Sequence, residues 1–216
     1  MISASEFKKH ISKHLREKMR DIGFKGTGFS YLSDSEHFVF AFGIQASQYG
    51  GQCCAEYGIQ PKEIDSTGNH KLDFKNLKYF NCELRTRLTK PGKGDQWWNY
   101  SELEEENIKI AQEICDLFVL RASPTISAFK NNPNILDKIE ISDLENSYIN
   151  VAKKLNGIFP PFGDIRFAWA MMRVYEKKSP GKALEFAKYG LSKLDSNSNF
   201  FAKPDFEKMV NQYHGA

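Results

Sequence analysis

The sequence predicts an α+β fold, in which an antiparallel four-stranded meander is flanked by an N-terminal helix and a C-terminal helical region. Three observations support this prediction: apolar residues recur every four positions in residues 3–22, every second position between residues 28 and 88, and with helical spacing again after residue 101. The 216-residue chain is 41% hydrophobic and 26% charged, as is typical of a globular protein. We expect a helix–sheet–helix domain over residues 1–122 and a helical extension packed on it over residues 123–216.

The first predicted element is a helix that begins after Ser3. Ser3 and Glu6 form the S-x-x-E capping pattern, and Gly23 is a typical helix stop. The stripe that we expect to be buried consists of Phe7, Ile11, Leu15 and Met19. The basic residues between these positions are more typical of a solvated face than of a nucleic-acid site, and the formal net charge of the chain is only +3. We therefore predict no nucleic-acid partner.

Four strands are predicted where the period of the apolar residues changes to two. The clearest runs are residues 38–44, 53–59 and 80–88, and residues 28–32 are expected to pair with the first of these across a Ser-Asp-Ser turn. Short turns between consecutive strands favour an antiparallel meander. In the last strand we expect Phe80, Cys82 and Leu84 to face the first helix.

Helical spacing returns after the fourth strand. Ser101 and Glu104 repeat the capping pattern ahead of a helix that contains Ile108 and Phe118. We expect Pro124 to interrupt the helical pattern, because proline lacks the amide hydrogen. Further helices are predicted near residues 144–155, 165–177 and 182–194, with a short last one near residues 206–210.

No strong catalytic or metal-binding motif is present. His10 and His14 have the i, i+4 spacing of a helical metal site, but the glutamate of H-E-x-x-H is missing and no third ligand is evident. The cysteines contain no C-x-x-C pair and are more typical of core positions: Cys53, Cys54, Cys82 and Cys115. We therefore predict no metal, no cofactor and no catalytic residue.

The polar face of the sheet is the candidate binding site. With Leu84 turned towards the first helix, Glu83, Arg85 and Arg87 point the other way, and Glu56 of the preceding strand is expected to join them. Arginines at alternate positions of a strand lie about 7 Å apart, close enough to hold one carboxylate or phosphate together.

Two tryptophans follow this strand and extend the candidate site. Trp97 and Trp98 come directly after a Gly- and Lys-rich loop, and they are expected to form an aromatic lip beside the arginines. The alternative is that the two glutamates simply neutralise the arginines on a solvated sheet face, with the tryptophans covering the end of the sheet.

The N-terminal half resembles a known bacterial family. The segments SEFKKHISKHLREKMRDIGFKGTGFSY, FAFGIQASQYGGQCCAEYGI and CELRTRL, in that order, carry the motifs Gly-Phe-Lys-Gly, Gln-x-Ser and Cys-x-Leu-Arg-x-Arg-Leu. They resemble the "domain of unknown function 4304" family over about residues 3–118. The resemblance implies an α+β domain in the bacterial cytoplasm, and it implies no activity and no catalytic residue.

Two hypotheses of function remain open. The first is a non-catalytic protein-binding module, such as an immunity or toxin-neutralising protein, with a protein partner. The alternative is an enzyme or small-anion-binding protein whose pocket lies between the sheet and the C-terminal helices. In either case we expect a cytoplasmic protein that does not enter a membrane, because no signal peptide is evident and the longest apolar runs are only strand-length.

Overall fold

A computed structural model describes residues 2–67, 70–146 and 148–213, and it confirms the predicted α+β class. The helices are α1 (Ala4–Asp21), α2 (Glu104–Asn131), α3 (Ile141–Asn146), α4 (Tyr148–Lys154), α5 (Asp164–Tyr175), α6 (Pro180–Ser192) and α7 (Lys203–Tyr213). The strands are β1 (Lys25–Thr27), β2 (Ser30–Asp34), β3 (Phe38–Ala46), β4 (Gln52–Pro61), β5 (Ser66–Thr67), β6 (His70–Lys71), β7 (Leu84–Arg87) and β8 (Trp98–Asn99). Two short 3-10 helices lie at Tyr79–Asn81 and Ile135–Lys138.

The main sheet is an antiparallel meander with the strand order β1-β2-β3-β4-β7. Strand β8 pairs with the start of β4, and β5 and β6 form a separate small hairpin. The predicted four strands correspond to β2, β3, β4 and β7. The sheet gains β1 and β8 because strands of three and two residues are too short to show a period of two.

One face of the sheet packs against α1 and α2. The predicted stripe of α1 is fully buried, and the Ser3–Glu6 capping box forms as expected. Phe42 of β3 is also fully buried and meets Phe118 of α2 edge to face, with the ring centroids 5.1 Å apart. This face, with the two helices, makes the main hydrophobic core.

The opposite face is covered in its middle by the segment that contains the first 3-10 helix. A Cβ atom at Gly43 would lie 2.2 Å from Cδ1 of Tyr79, and one at Gly58 would lie 2.6 Å from Cβ of Cys82. The two glycines therefore allow this segment to approach the sheet closely. Leu77, Tyr79 and Cys82 form a second, smaller apolar cluster there with Val39 and Ala41.

The expectation that the last strand begins at Phe80 was wrong. Phe80 lies in the 3-10 helix and is 50% exposed, and Cys82 belongs to the second cluster rather than to the face under α1. Only Leu84 faces the main core as expected. Cys82 instead packs closely against Gly58 of β4 on the opposite face of the sheet. The apolar alternation in this segment therefore does not reflect a strand.

A single long helix, α2, runs across the point where the C-terminal helical region was expected to begin. Pro124 lies inside α2, contrary to expectation, and α2 crosses the expected boundary between residues 122 and 123. Proline loses one helical hydrogen bond, but burial of Ala122, Ile126 and Phe129 on either side holds the helix against the core. Among the residues that the structure describes, no helix is both long and apolar enough to cross a membrane.

Helices α5, α6 and α7 pack on one another beyond α2. Trp169 of α5 donates a hydrogen bond from Nε1 to Oδ2 of Asp205 at 2.8 Å, which ties α5 to α7. The Tyr175 hydroxyl donates to the carbonyl of Leu136 at 3.0 Å. The segment between α4 and α5 reaches the sheet, where the Arg85 amide donates to the Phe159 carbonyl at 3.2 Å. This contact brings the C-terminal region to the free edge of β7.

Candidate functional site

A groove lies where the edge strand β7 meets the segment before α5. It has a volume of about 400 Å³, within the range of small-ligand pockets. Its lining residues come from β4, β7, the loops after β7, and the segment before α5: Glu56, Arg85, Thr86, Arg87, Thr89, Asp95, Phe159 and Pro161. We call this space the arginine groove.

A smaller cavity of about 270 Å³ adjoins the arginine groove on the side of α2. The two spaces share Thr86, Arg87 and Thr89, and the smaller one adds Arg121 of α2 to the lining. Three guanidinium groups therefore border these two neighbouring cavities beside β7.

The sequence-predicted grouping of Glu56, Arg85 and Arg87 is present in the structure. Glu56 and Arg87 are direct cross-strand partners, and Oε1 of Glu56 accepts a hydrogen bond from Nε of Arg87 at 3.2 Å. Oε2 of Glu56 lies 3.8 Å from Nη1 of Arg85. The Glu56 side chain is only 7% exposed, whereas those of Arg85 and Arg87 are 27% and 32% exposed. A buried carboxylate thus holds two guanidinium groups that remain partly exposed at the groove.

The two tryptophans occupy different places. The Arg87 guanidinium lies over the Trp97 ring, 5.4 Å from its centroid, and also pairs through Nη1 with Asp95 of the preceding loop. Trp98 is 4% exposed, pairs with Cys53 in the sheet and belongs to the main core. Only Trp97 therefore lies beside an arginine of the groove.

Glu83 is separate from the arginine groove. Its carboxylate is 2% exposed and accepts two hydrogen bonds from Arg166 of α5, at 3.0 Å from Nε and 2.8 Å from Nη2. The Phe162 ring lies between the groove and this pair, 5.1 Å from the Arg85 guanidinium and 4.1 Å from that of Arg166. The Glu83–Arg166 pair fastens the C-terminal region to the sheet.

The outer edge of β7 carries backbone groups as well as side chains. Just after β7, the Leu88 amide donates to the Ala55 carbonyl of β4 at 2.8 Å. Because strand amides alternate in direction, the amides of Arg85 and Arg87 point away from β4. The hydrogen bond from Arg85 to Phe159 confirms this direction for the first of them.

The pairing with the segment before α5 stops after one bridge. Antiparallel continuation would place Gly157 opposite Arg87, but Asn156 and Gly157 have φ angles of 54° and 90° and turn the chain towards α4. Within the described ranges, no backbone hydrogen bond reaches the Arg87 amide. The edge of β7 is therefore open where it borders the groove.

His10, His14 and the four cysteines have structural partners or are buried. Nδ1 of His10 lies 2.8 Å from Nδ2 of Asn107, and Nε2 of His14 lies 3.1 Å from Oε1 of Gln112, so both rings join α1 to α2. The four cysteines are free thiols in buried positions. Burial raises the pKa of Cys54 to about 11 and the pKa of Cys53 to about 12. In the part of the chain that the structure describes, no three His, Cys, Asp or Glu side chains are grouped to hold a metal ion.

Several residues of the groove were not identified from the sequence. Asp95 lies in the loop before the tryptophans and Phe159 in the segment before α5, and no sequence motif marks either residue. Arg121 follows the buried stripe of α2 without any distinguishing pattern. These residues come together through contacts between distant parts of the chain, which no local period reports.

Comparison with known proteins supports the family resemblance. The model of the family described as "Domain of unknown function (DUF4304)" matches residues 15–128, just over half of the chain. This span contains the main sheet, both arginines of β7 and most of α2, whereas α5, α6 and α7 lie outside it. No curated protein and no solved structure matches the chain. The chain therefore belongs to the DUF4304 family.

Proposed function

We propose that this protein is a non-catalytic binding protein whose arginine groove takes an acidic segment of a protein partner. An immunity or toxin-neutralising protein of the bacterial cytoplasm is the most concrete form of this function. The free, buried thiols support a reducing compartment, because disulfides are rare in the cytoplasm.

The observation that carries the proposal is the excess of guanidinium groups around the arginine groove and the smaller cavity taken together. Arg85 and Arg87 line the groove together with the carboxylates of Glu56 and Asp95, and Arg121 lines the smaller cavity beside it. Arginine binds carboxylates through paired hydrogen bonds, and the side chains of Arg85 and Arg87 are partly exposed here. A partner carboxylate can therefore replace the exposed Asp95 carboxylate at Arg87 without first breaking the buried contact to Glu56.

The open edge of β7 supports a partner in extended conformation. Phe159 forms one antiparallel bridge with Arg85 at this edge. An extended peptide could pair with Arg87 in the same way and so extend the sheet. Its side chains would alternate between the Arg85–Arg87 side and the side of Arg121. An acidic extended segment thus matches both the backbone and the charges.

A second candidate is a small-anion-binding protein or an enzyme that acts on a small anion. The observation in its favour is the concave shape of the groove and its position between the sheet and the C-terminal region. Inorganic phosphate and citrate distinguish this candidate, because they carry the charge of an acidic peptide without an extended backbone.

The test is a titration of fluorescently labelled hexaglutamate, followed by anisotropy. Simple removal of both β7 arginines would leave the buried Glu56 carboxylate unpaired and destabilise the fold. The informative variant is therefore Glu56→Gln combined with Arg85→Ala and Arg87→Ala. The matched control is Arg20→Ala, which lowers the net charge by the same amount at an exposed position of α1.

We expect the wild type and the control to bind the peptide with similar affinity, and the triple variant to lose binding by about tenfold or more. Equal binding by the triple variant and the control would refute the groove as the site. Binding of phosphate or citrate at the groove, without binding of the peptide, would favour the second candidate.

A further inference from the structure

We propose that a second cavity, at the opposite edge of the sheet, binds a small amphiphilic organic anion. This cavity lies beside β1 and β2, on the face of the sheet that α1 does not cover. It has a volume of about 630 Å³, which suits a ligand of cofactor or metabolite size. None of its lining residues lines the arginine groove.

The floor of the cavity is apolar. Leu32 of β2 and Val39 of β3 face it from the sheet, and Phe74 faces it from the segment that covers the sheet. Val39 belongs to the second apolar cluster, and the half-buried Leu32 and Phe74 pack against that cluster. The cavity is thus the place where this cluster opens to solvent, and an apolar ligand body would complete it.

The rim of the cavity is cationic. Lys25, Lys62 and Lys75 line it, against the single carboxylate of Asp34. Lys62 is held in place, since its Nζ lies 2.7 Å from Oδ1 of Asp34 and 2.5 Å from the carbonyl oxygen of Ser35. Lys25 and Lys75 are exposed, and within the described residues neither forms an ion pair.

The position of Lys25 follows from the sheet register. Lys25 is the cross-strand partner of Leu32, so the two side chains leave the same face of the sheet. Lys75 follows Phe74 directly in the chain. Each of these lysines therefore stands next to an apolar residue of the floor.

This arrangement selects a class of ligand. A planar or branched apolar body covers the floor, and a carboxylate, sulfonate or phosphate group at one end reaches the lysines. Inorganic phosphate alone would leave the floor exposed, and a neutral apolar molecule would leave two ammonium groups unpaired. The apolar contact supplies affinity through buried area, and the charges orient the ligand.

Two matched fluorescent probes test the proposal. 8-Anilinonaphthalene-1-sulfonate carries an aromatic body and a sulfonate, and N-phenyl-1-naphthylamine has the same body without charge. The variant Lys25→Ala/Lys75→Ala removes the free charges of the rim, and Phe74→Ala removes part of the floor. The control Lys9→Ala/Lys188→Ala makes the same change in net charge at exposed positions that do not line the cavity.

We expect the wild type to bind one sulfonate probe per chain at saturation. The rim variant should weaken the sulfonate probe about fivefold and leave the neutral probe within twofold, because two surface charge contacts are worth about 1 kcal/mol in total. Phe74→Ala should weaken both probes. Circular dichroism of each variant establishes that it is folded before the titration.

Three results would overturn this site. One is the absence of saturable binding of the sulfonate probe by the folded wild type. Another is an equal loss of affinity in the rim variant and in the control. The third is unchanged binding of both probes by folded Phe74→Ala.

Discussion

The Glu83–Arg166 pair is expected to hold the C-terminal region on the sheet, and Arg166→Met tests this directly. The substitution keeps most of the aliphatic stem of Arg166 and removes both hydrogen bonds to the Glu83 carboxylate. Because the Glu83 side chain is 2% exposed, water cannot replace these bonds without disturbing the packing. Breaking a buried pair by removing one partner costs about 3 to 5 kcal/mol.

Urea denaturation followed by circular dichroism measures this loss. We expect Arg166→Met to lower the free energy of unfolding by about 3 kcal/mol or more, and Glu83→Leu/Arg166→Met to regain most of it, because an apolar pair leaves no unpaired charge. An exposed ion pair contributes no more than about 1 kcal/mol to the free energy of unfolding, so a smaller loss for the single variant would indicate an exposed pair. That result would refute the buried contact between the sheet and α5.

Three further predictions concern the sheet and its cysteines. Phe42→Ala should lower the free energy of unfolding in urea by about 3 to 5 kcal/mol, whereas Phe80→Ala, at a half-exposed position, should cost far less. Gly43→Ala places a Cβ atom 2.2 Å from a buried tyrosine ring and should cost about 1 to 3 kcal/mol, while Gly94→Ala, with open space around it, should be nearly neutral. Burial raises the pKa of Cys54 to about 11, so native protein at pH 8 should react with Ellman's reagent only slowly. All four thiols should react at once in 6 M guanidinium. A fast reaction of the native protein would contradict the buried positions of the cysteines.

The same raised thiol pKa values give the stability a defined dependence on pH. The unfolded thiols ionise near their ordinary pKa of 9.0, whereas the folded Cys53 stays protonated up to about pH 12. The unfolded state therefore binds fewer protons above pH 9, and the free energy of unfolding should fall there by about 1 kcal/mol per thiol for each pH unit. Urea midpoints at pH 7.5 and pH 10 measure this fall.

The sequence was sufficient for the elements whose periods are long and regular. The buried stripe of α1 and the strands β2, β3 and β4 were predicted correctly. In each of these elements, the side chains that face the core recur at a regular spacing in the sequence. The grouping of Glu56 with Arg85 and Arg87 was also expected from the sequence. Side chains alternate between the two faces of a strand, and these three residues occupy the positions opposite the apolar face of their strands. Pro124 was misjudged because tertiary burial on both sides of it outweighs its local preference.

The remaining features depend on contacts between distant residues. Glu83 and Arg166 are 83 positions apart, and nothing in the sequence near either residue indicates the other. The contact of Cys82 with Gly58 decides which face of the sheet Cys82 joins. Phe159 lines the arginine groove on the side of the C-terminal region. No pattern in the sequence indicates that Phe159 pairs with Arg85 of β7.

The central claim is that the β7 arginines are available to an acidic partner, and Glu56→Gln tests it most directly. Glutamine keeps the shape of the side chain and a hydrogen-bond acceptor, but it removes the charge that competes with a ligand for both guanidinium groups. The measurement is the dissociation constant of labelled hexaglutamate for the folded variant and the wild type in the same buffer. We expect the constant to fall by about fivefold, which corresponds to about 1 kcal/mol. An unchanged or higher constant would contradict binding at these arginines.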